Sequence, residues 1–77
     1  MRPFLHVQCF YWDSAQLEYV ELECDTFINI SDIKEINIPR DDVFAAVRTG
    51  DTSRPLTIKK EMALEIIRVL KANNLME

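Results

Sequence analysis

Apolar and polar positions alternate with period two through most of the chain, and change to a period near 3.6 only after Lys59. Phe4 to Trp12 reads as a strand, rich in aromatic and β-favouring residues and free of Gly and internal Pro. Leu5, Val7, Cys9 and Tyr11 share one face, and Phe4, His6, Gln8, Phe10 and Trp12 share the other. Asp13-Ser14-Ala15-Gln16 is a turn, because Asp and Ser side chains bond nearby backbone. Leu17 to Cys24 is the returning strand, with Glu18, Val20, Leu22 and Cys24 on one face and Leu17, Tyr19, Glu21 and Glu23 on the other. Pairing Trp12 with Leu17 sets Leu5 against Cys24, Val7 against Leu22 and Cys9 against Val20, so this apolar face is the expected core. The opposite face pairs His6 with Glu23, Gln8 with Glu21 and Phe10 with Tyr19. In that register Cys9 and Cys24 stand four positions apart along the sheet, or roughly 13 Å at strand rise. A disulfide needs Cα atoms within about 7 Å, so both cysteines are expected as buried free thiols in a reducing compartment.

Phe27 to Ile30 reads as a short third strand after a turn at Asp25-Thr26, and Ser31-Asp32 as a tight turn that sends Ile33 inward. Ile36 and Ile38 continue as strand to Pro39, which cannot donate to a ladder. Val43 to Arg48 is a strand with Val43, Ala45 and Val47 on one face. Thr49 to Ser53, with the chain's single Gly, is a loop, and Pro55 to Ile58 a short last strand. From Lys60 to Asn73, Ala63, Ile66, Ile67 and Leu70 form a helical stripe that Met62 and Val69 widen. Glu65 and Arg68 pair on the outer face, and Asn73 or Asn74 supplies the left-handed residue that ends the helix. The expected architecture is α+β: about five antiparallel strands in a small curled sheet, meander or barrel-like, closed by one C-terminal helix. Leu75 and Met76 follow the helix stop with no partner surface in this scheme, and a homodimer would bury them.

In element order, the stretch from Ile28 to Leu70 resembles small flagellar-operon proteins. The shared residues are Asn29-x-x-Asp32-Ile33, Gly50 and the helix periodicity. The likeness covers about half the chain and omits the aromatic first hairpin, and the chain is not assigned to that family.

Composition narrows the function classes. At 77 residues the chain is a single domain, 1–77, and a domain of this size is marginally stable. No segment is apolar enough to span a membrane, and Met1 to His6 lacks the apolar run of a secretory signal, so a cytoplasmic protein is expected. Residues 1–38 carry two basic and seven acidic side chains, net −5, and residues 39–77 seven and six, net +1, for −4 in total. A field of that sign repels phosphate backbones at long range and argues against general nucleic-acid binding.

The candidate chemistry is sparse. His6 beside Glu23 resembles a base and its orienter, but no nucleophile elbow surrounds Ser14, Ser31 or Ser53, and a cross-strand polar pair explains the two as well. Glu18, Glu21, Glu23 and Asp25 lack calcium-loop spacing, and the two cysteines with His6 do not make a zinc set, so no metal and no cofactor is expected. No catalytic residues are assigned, and the chain is expected not to be an enzyme. Phe4, Phe10, Trp12, Leu17 and Tyr19 fall together on the non-core face of the hairpin beside Glu21 and Glu23. Aromatic patches rimmed by charge are typical of protein interfaces. A protein-binding adaptor, regulator or inhibitor is therefore expected, docking through Phe10, Trp12 and Tyr19 with Glu21 and Glu23 as its rim. The alternative is a binder of nucleic acid or a small anionic ligand through Arg48, Arg54 and Lys59, which flank the Gly50 loop without phosphate-loop spacing.

Overall fold

The computed structural model describes residues 4–50 and 54–75. Seven short strands precede one helix in chain order: β1 (Phe4–Val7), β2 (Cys9–Asp13), β3 (Glu18–Glu21), β4 (Thr26–Asn29), β5 (Ile33–Asn37), β6 (Phe44–Thr49), β7 (Leu56–Lys59) and α1 (Lys60–Ala72). The architecture is α+β, with a five-stranded antiparallel sheet, a second two-stranded sheet and the C-terminal helix. The larger sheet has the order β3-β2-β7-β6-β5, and β1 pairs with β4 in the smaller one. The expectation of a simple meander is therefore corrected. Strands β5, β6 and β7 do follow one another, but the hairpin β2–β3 joins at β7, a long-range pairing between Cys9 and Ile58. The five-stranded sheet curls without closing into a barrel, leaving β3 and β5 as its edges. A bulge between Ile33 and Glu35 on β5 disturbs one of those edges, a device that discourages strand addition.

The expected single first strand is two strands. Gln8 interrupts it, and its side-chain amide donates to the Leu22 carbonyl at 3.0 Å. Val7 and Cys9 on either side of the break both point into the core. The chain thus passes from the smaller sheet to the larger at Gln8, returns to the smaller between β3 and β4, and re-enters the larger through a single 3-10 turn at Ile30–Asp32, where Asn29 Oδ1 accepts from the Ser31 amide at 2.9 Å.

The hairpin register is also corrected, by two residues: Phe10 faces Glu21, Tyr11 faces Val20, Trp12 faces Tyr19 and Asp13 faces Glu18. The turn is Ser14 to Leu17 rather than Asp13 to Gln16. Asp13 closes it, with Oδ1 accepting from the amides of Ala15 at 2.9 Å and Gln16 at 3.2 Å. Leu17 leaves the turn at φ 55°, a left-handed conformation uncommon outside Gly, Asn and Asp. A slip of two preserves which face each side chain occupies, so the core parity survives.

One face of the larger sheet carries Cys9, Ile58, Ala45 and Val47, and α1 packs on it with Ala63, Ile66 and Leu70. Val7 and Ile28 from the smaller sheet and Ile30 from the 3-10 turn complete the same core. The helix starts directly from β7. Lys59 provides no side-chain cap, and the Lys60 amide instead donates to the Val43 carbonyl at 2.9 Å. It ends in a Schellman motif: Asn74 takes φ 58°, its amide donates to Lys71 and that of Leu75 to Leu70. Leu75 thereby folds back beside Leu70 over a shallow groove that also includes Ile30 and Ile36. It remains 43% exposed there, and Met76 lies outside the described residues.

Gly50 is required by close approach. Its amide donates to the Asp32 carbonyl at 2.8 Å, and a Cβ there would run into the Asp32 carboxylate. Gly50→Ala is expected to cost about 1 kcal/mol by forcing that side chain aside. An Asp32→Ala background should remove most of the cost, as thermal melts of the two single variants and the double would show. Equal costs in both backgrounds would mean that the carboxylate is not the obstacle.

Candidate functional site

The sheet face away from α1 carries an aromatic cluster. Alternation puts Phe10 and Trp12 of β2, Tyr19 of β3 and Phe44 of β6 on that side. Trp12 and Tyr19 meet edge-on with ring centroids 5.2 Å apart, as do Phe10 and Phe44 at 5.1 Å. Tyr19 and Phe44 close the chain of contacts at 4.5 Å. That last contact joins β3 to β6, with β2 and β7 between them in the sheet. It is made possible by the curl of the hairpin over the small residues Thr57 and Ala46, which line the same cleft. Phe10 and Phe44 are half-buried by this arrangement, whereas Trp12 remains 53% exposed and Tyr19 39%. Edge-to-face contacts of this kind are worth about 0.5–1.5 kcal/mol each and hold the rings in place.

Three of the five residues expected in the patch are thus brought together. Phe4 instead lies on β1, opposite Asn29, and Leu17 is in the hairpin turn at 74% exposure. Of the expected rim, Glu21 stands directly across from Phe10. Glu23 does not share that position: β3 ends at Glu21, and Glu23 sits exposed in the bend leading to β4. Phe44, which pattern reasoning missed, is the fourth ring. Its signal was an aromatic on the opposite parity to the core-facing Ala45 and Val47.

The basic residues do not form one edge. Lys59 Nζ lies 5.8 Å from the centre of the Phe10 ring, a cation–π contact within the aromatic face. Lys59 faces Phe44, and Arg48 is four residues further along β6, about 13 Å away at strand rise. Arg48 Nε donates to Glu35 at 3.3 Å. Glu35 also accepts from the Asn37 amide at 2.9 Å, and these two partners, Asn37 foremost, hold its carboxyl below the usual carboxylate range. Arg54 is exposed ahead of β7, at the end of that strand remote from Lys59.

His6 faces Phe27, with ring centroids 5.1 Å apart, and its Nε2 lies 3.3 Å from Asp25 Oδ1. The expected partnership with Glu23 is replaced by this one, since β1 pairs with β4 and not with β3. Among the described residues, no group of three His, Cys, Asp or Glu side chains is placed to hold a metal ion. Among the same residues, no helix is long and apolar enough to cross a membrane.

Both cysteines are free thiols, but only Cys9 is buried; Cys24, expected to be buried as well, is exposed. Leu22 donates to the Cys9 carbonyl at 2.9 Å, so Cys24 is two residues beyond the neighbour of Cys9, closer than the expected four. Burial pushes the Cys9 thiol up, a hydrogen bond with Thr26 opposes that shift, and the nearby Cys24 adds to it. A small thiol reagent should therefore modify Cys24 in the native protein and reach Cys9 only on unfolding. Intact-mass analysis should count one adduct and then two. Finding no reactive thiol in fresh non-reduced protein would contradict this geometry.

Comparison of the chain with family models, curated proteins and solved structures finds no match.

Proposed function

We propose that this chain is a small non-enzymatic interaction module: a cytoplasmic adaptor, regulator or inhibitor that acts by docking on another protein. The observation that carries this reading is the exposed pair Trp12 and Tyr19, held by Phe44 and Phe10 on the face that α1 leaves uncovered. Aromatic rings already fixed by neighbours lose little rotamer freedom on binding, so more of the buried area is realised as affinity. Trp and Tyr are also the side chains most enriched among binding hot spots. Glu21 supplies a charged rim beside Phe10, and Glu23 follows on the exposed bend.

A Trp12→Ala/Tyr19→Ala double variant tests the reading directly. Immobilised wild-type chain should retain a protein from native lysate at moderate salt, and the double variant should lose it while keeping the wild-type circular dichroism spectrum. Recovery of nucleic acid instead, released by salt and by Arg48→Ala/Arg54→Ala but not by the aromatic replacements, would replace this reading with that of an anionic-ligand binder.

A further inference from the structure

Next to the aromatic face, a groove of about 470 Å³ opens between the β2–β3 hairpin and the first two turns of α1. Phe10 from the sheet and Met62 from the helix give it apolar lining. The rest of its lining is Gln8, the carboxylates Glu21, Glu61 and Glu65, and a single ammonium, Lys59. Lys59 rests on the Phe10 ring, and Glu65 is engaged by Arg68, which holds the Glu65 carboxyl below its ordinary range. Among the described residues, Glu21 and Glu61 make no ion pair, so the groove holds three carboxylates to one ammonium. The volume is in the range of about 300–1,000 Å³ that accepts ligands, which leaves room for more than one side chain.

We propose that this groove receives a basic segment of the partner protein, with an apolar side chain seated on Phe10 and Met62 and flanking Lys or Arg side chains against Glu21 and Glu61. The inference rests on the docking function proposed above and specifies its partner's chemistry. Charge decides the sign of the occupant: an acidic segment would meet three carboxylates and one ammonium, and like charges across an interface oppose binding. Geometry decides that the occupant is a polypeptide. Phe10 belongs to both the groove and the aromatic cluster, and Trp12 is two residues further along β2, about 7 Å at strand rise. An extended segment lying in the groove therefore continues onto Trp12 and Tyr19, which a small cation would not reach.

The test is a nuclear magnetic resonance titration of the full chain with two short capped peptides that share their leucines and differ only in carrying lysines or glutamates. The lysine peptide should shift the signals of Phe10, Glu21 and Met62 and weaken as salt rises, and the glutamate peptide should not bind. Glu21→Gln/Glu61→Gln, two substitutions away from the buried core, should weaken the lysine peptide about fivefold. Equal binding of both peptides, shifts remote from the groove, unchanged affinity in the double variant, or binding of spermidine as tight as that of the peptide would each overturn the proposal. So would failure of the lysine peptide to bind. The docking reading is judged separately by lysate capture with the Trp12→Ala/Tyr19→Ala variant. If that capture responds to the aromatic replacements while the lysine peptide fails, the groove proposal falls and the docking reading stands.

Discussion

Ile58→Ala is expected to destabilise the fold by about 3 kcal/mol, within the range for truncating a buried Ile to Ala. Ile58 is fully buried at the point where the sheet and the helix meet. Its neighbours across the two ladders are Cys9 and Ala45, both small, and above it α1 brings Ala63 and Ile66. Small neighbours fixed by strand pairing on both sides cannot collapse into the space left by the lost methyls, so the cavity term persists. A chain of 77 residues is expected to have only roughly 4–12 kcal/mol of stability in all. Urea unfolding of the wild type and the variant should show a lower midpoint at an unchanged slope. A loss below about 1 kcal/mol would mean that Ile58 is not the keystone between β2, β6, β7 and the helix. Trp12→Ala, by contrast, removes a half-exposed ring and one edge-to-face contact at the hairpin and should cost only about 1 kcal/mol.

The elements built from local periodicity were legible in the chain. The stripe through Ala63, Ile66 and Leu70 predicts a helix over Lys60–Asn73, and the helix runs Lys60–Ala72 with Asn74 in the left-handed cap. Strand parity likewise puts Cys9 on the core face and groups Ala45 with Val47, although Tyr11 and Val43, expected on those same faces, are exposed. What periodicity cannot carry is the choice of neighbour. A slip of two residues in the hairpin leaves every side chain on its own face, so the apolar-pair test scores both registers alike. The deciding features are the Asp13 side chain closing the turn and a left-handed Leu17, for which a leucine gives no sequence signal. The pairing of β2 with β7 joins residues nearly fifty positions apart, Cys9 with Ile58, and no local pattern encodes it. The break at Gln8 is equally silent, because Val7 and Cys9 keep the alternation expected of one uninterrupted strand.

The site divides along the same line. Phe10, Trp12 and Tyr19 share a face by parity alone, and parity finds them. Phe44 joins them only because the sheet curls far enough for β3 to reach β6, a property of the whole sheet and its small residues Ala46 and Thr57. Glu23 drops out of the rim because β3 stops at Glu21, three residues short of the expected end at Cys24. Glu61 and Glu65 come to stand opposite Glu21 because the helix springs from β7 without a loop. As polar residues of an amphipathic helix they read as a solvated face, and only the three-dimensional arrangement turns them into groove lining.

Trp12→Ala should weaken binding of the captured partner by about 2 kcal/mol, or roughly 30-fold in affinity, if Trp12 is the anchor of the docking face. The ring is 53% exposed in the free chain, so a partner that covers it gains apolar burial that the fold itself does not already use. Tyr19 holds it edge-on at 5.2 Å, and truncation would also leave the partner's complementary pocket unfilled. Arg54→Ala should leave the affinity nearly unchanged, because a site built on ring burial draws little from a cation ahead of β7. Salt separates the two mechanisms further. Apolar docking with rim carboxylates such as Glu21 should weaken only mildly between low and moderate ionic strength, as screened surface charges do. Binding through Arg48, Arg54 and Lys59 to a phosphate backbone would instead fall steeply with salt, by counterion release. The measurement is a calorimetric titration of wild type, Trp12→Ala and Arg54→Ala at two salt concentrations against the captured partner. The reverse ranking of the two variants, together with a steep salt slope, would remove the aromatic face from its role. That outcome would transfer function to the dispersed basic residues, even though Arg48 is bonded to Glu35 and Lys59 lies on Phe10 in the free chain.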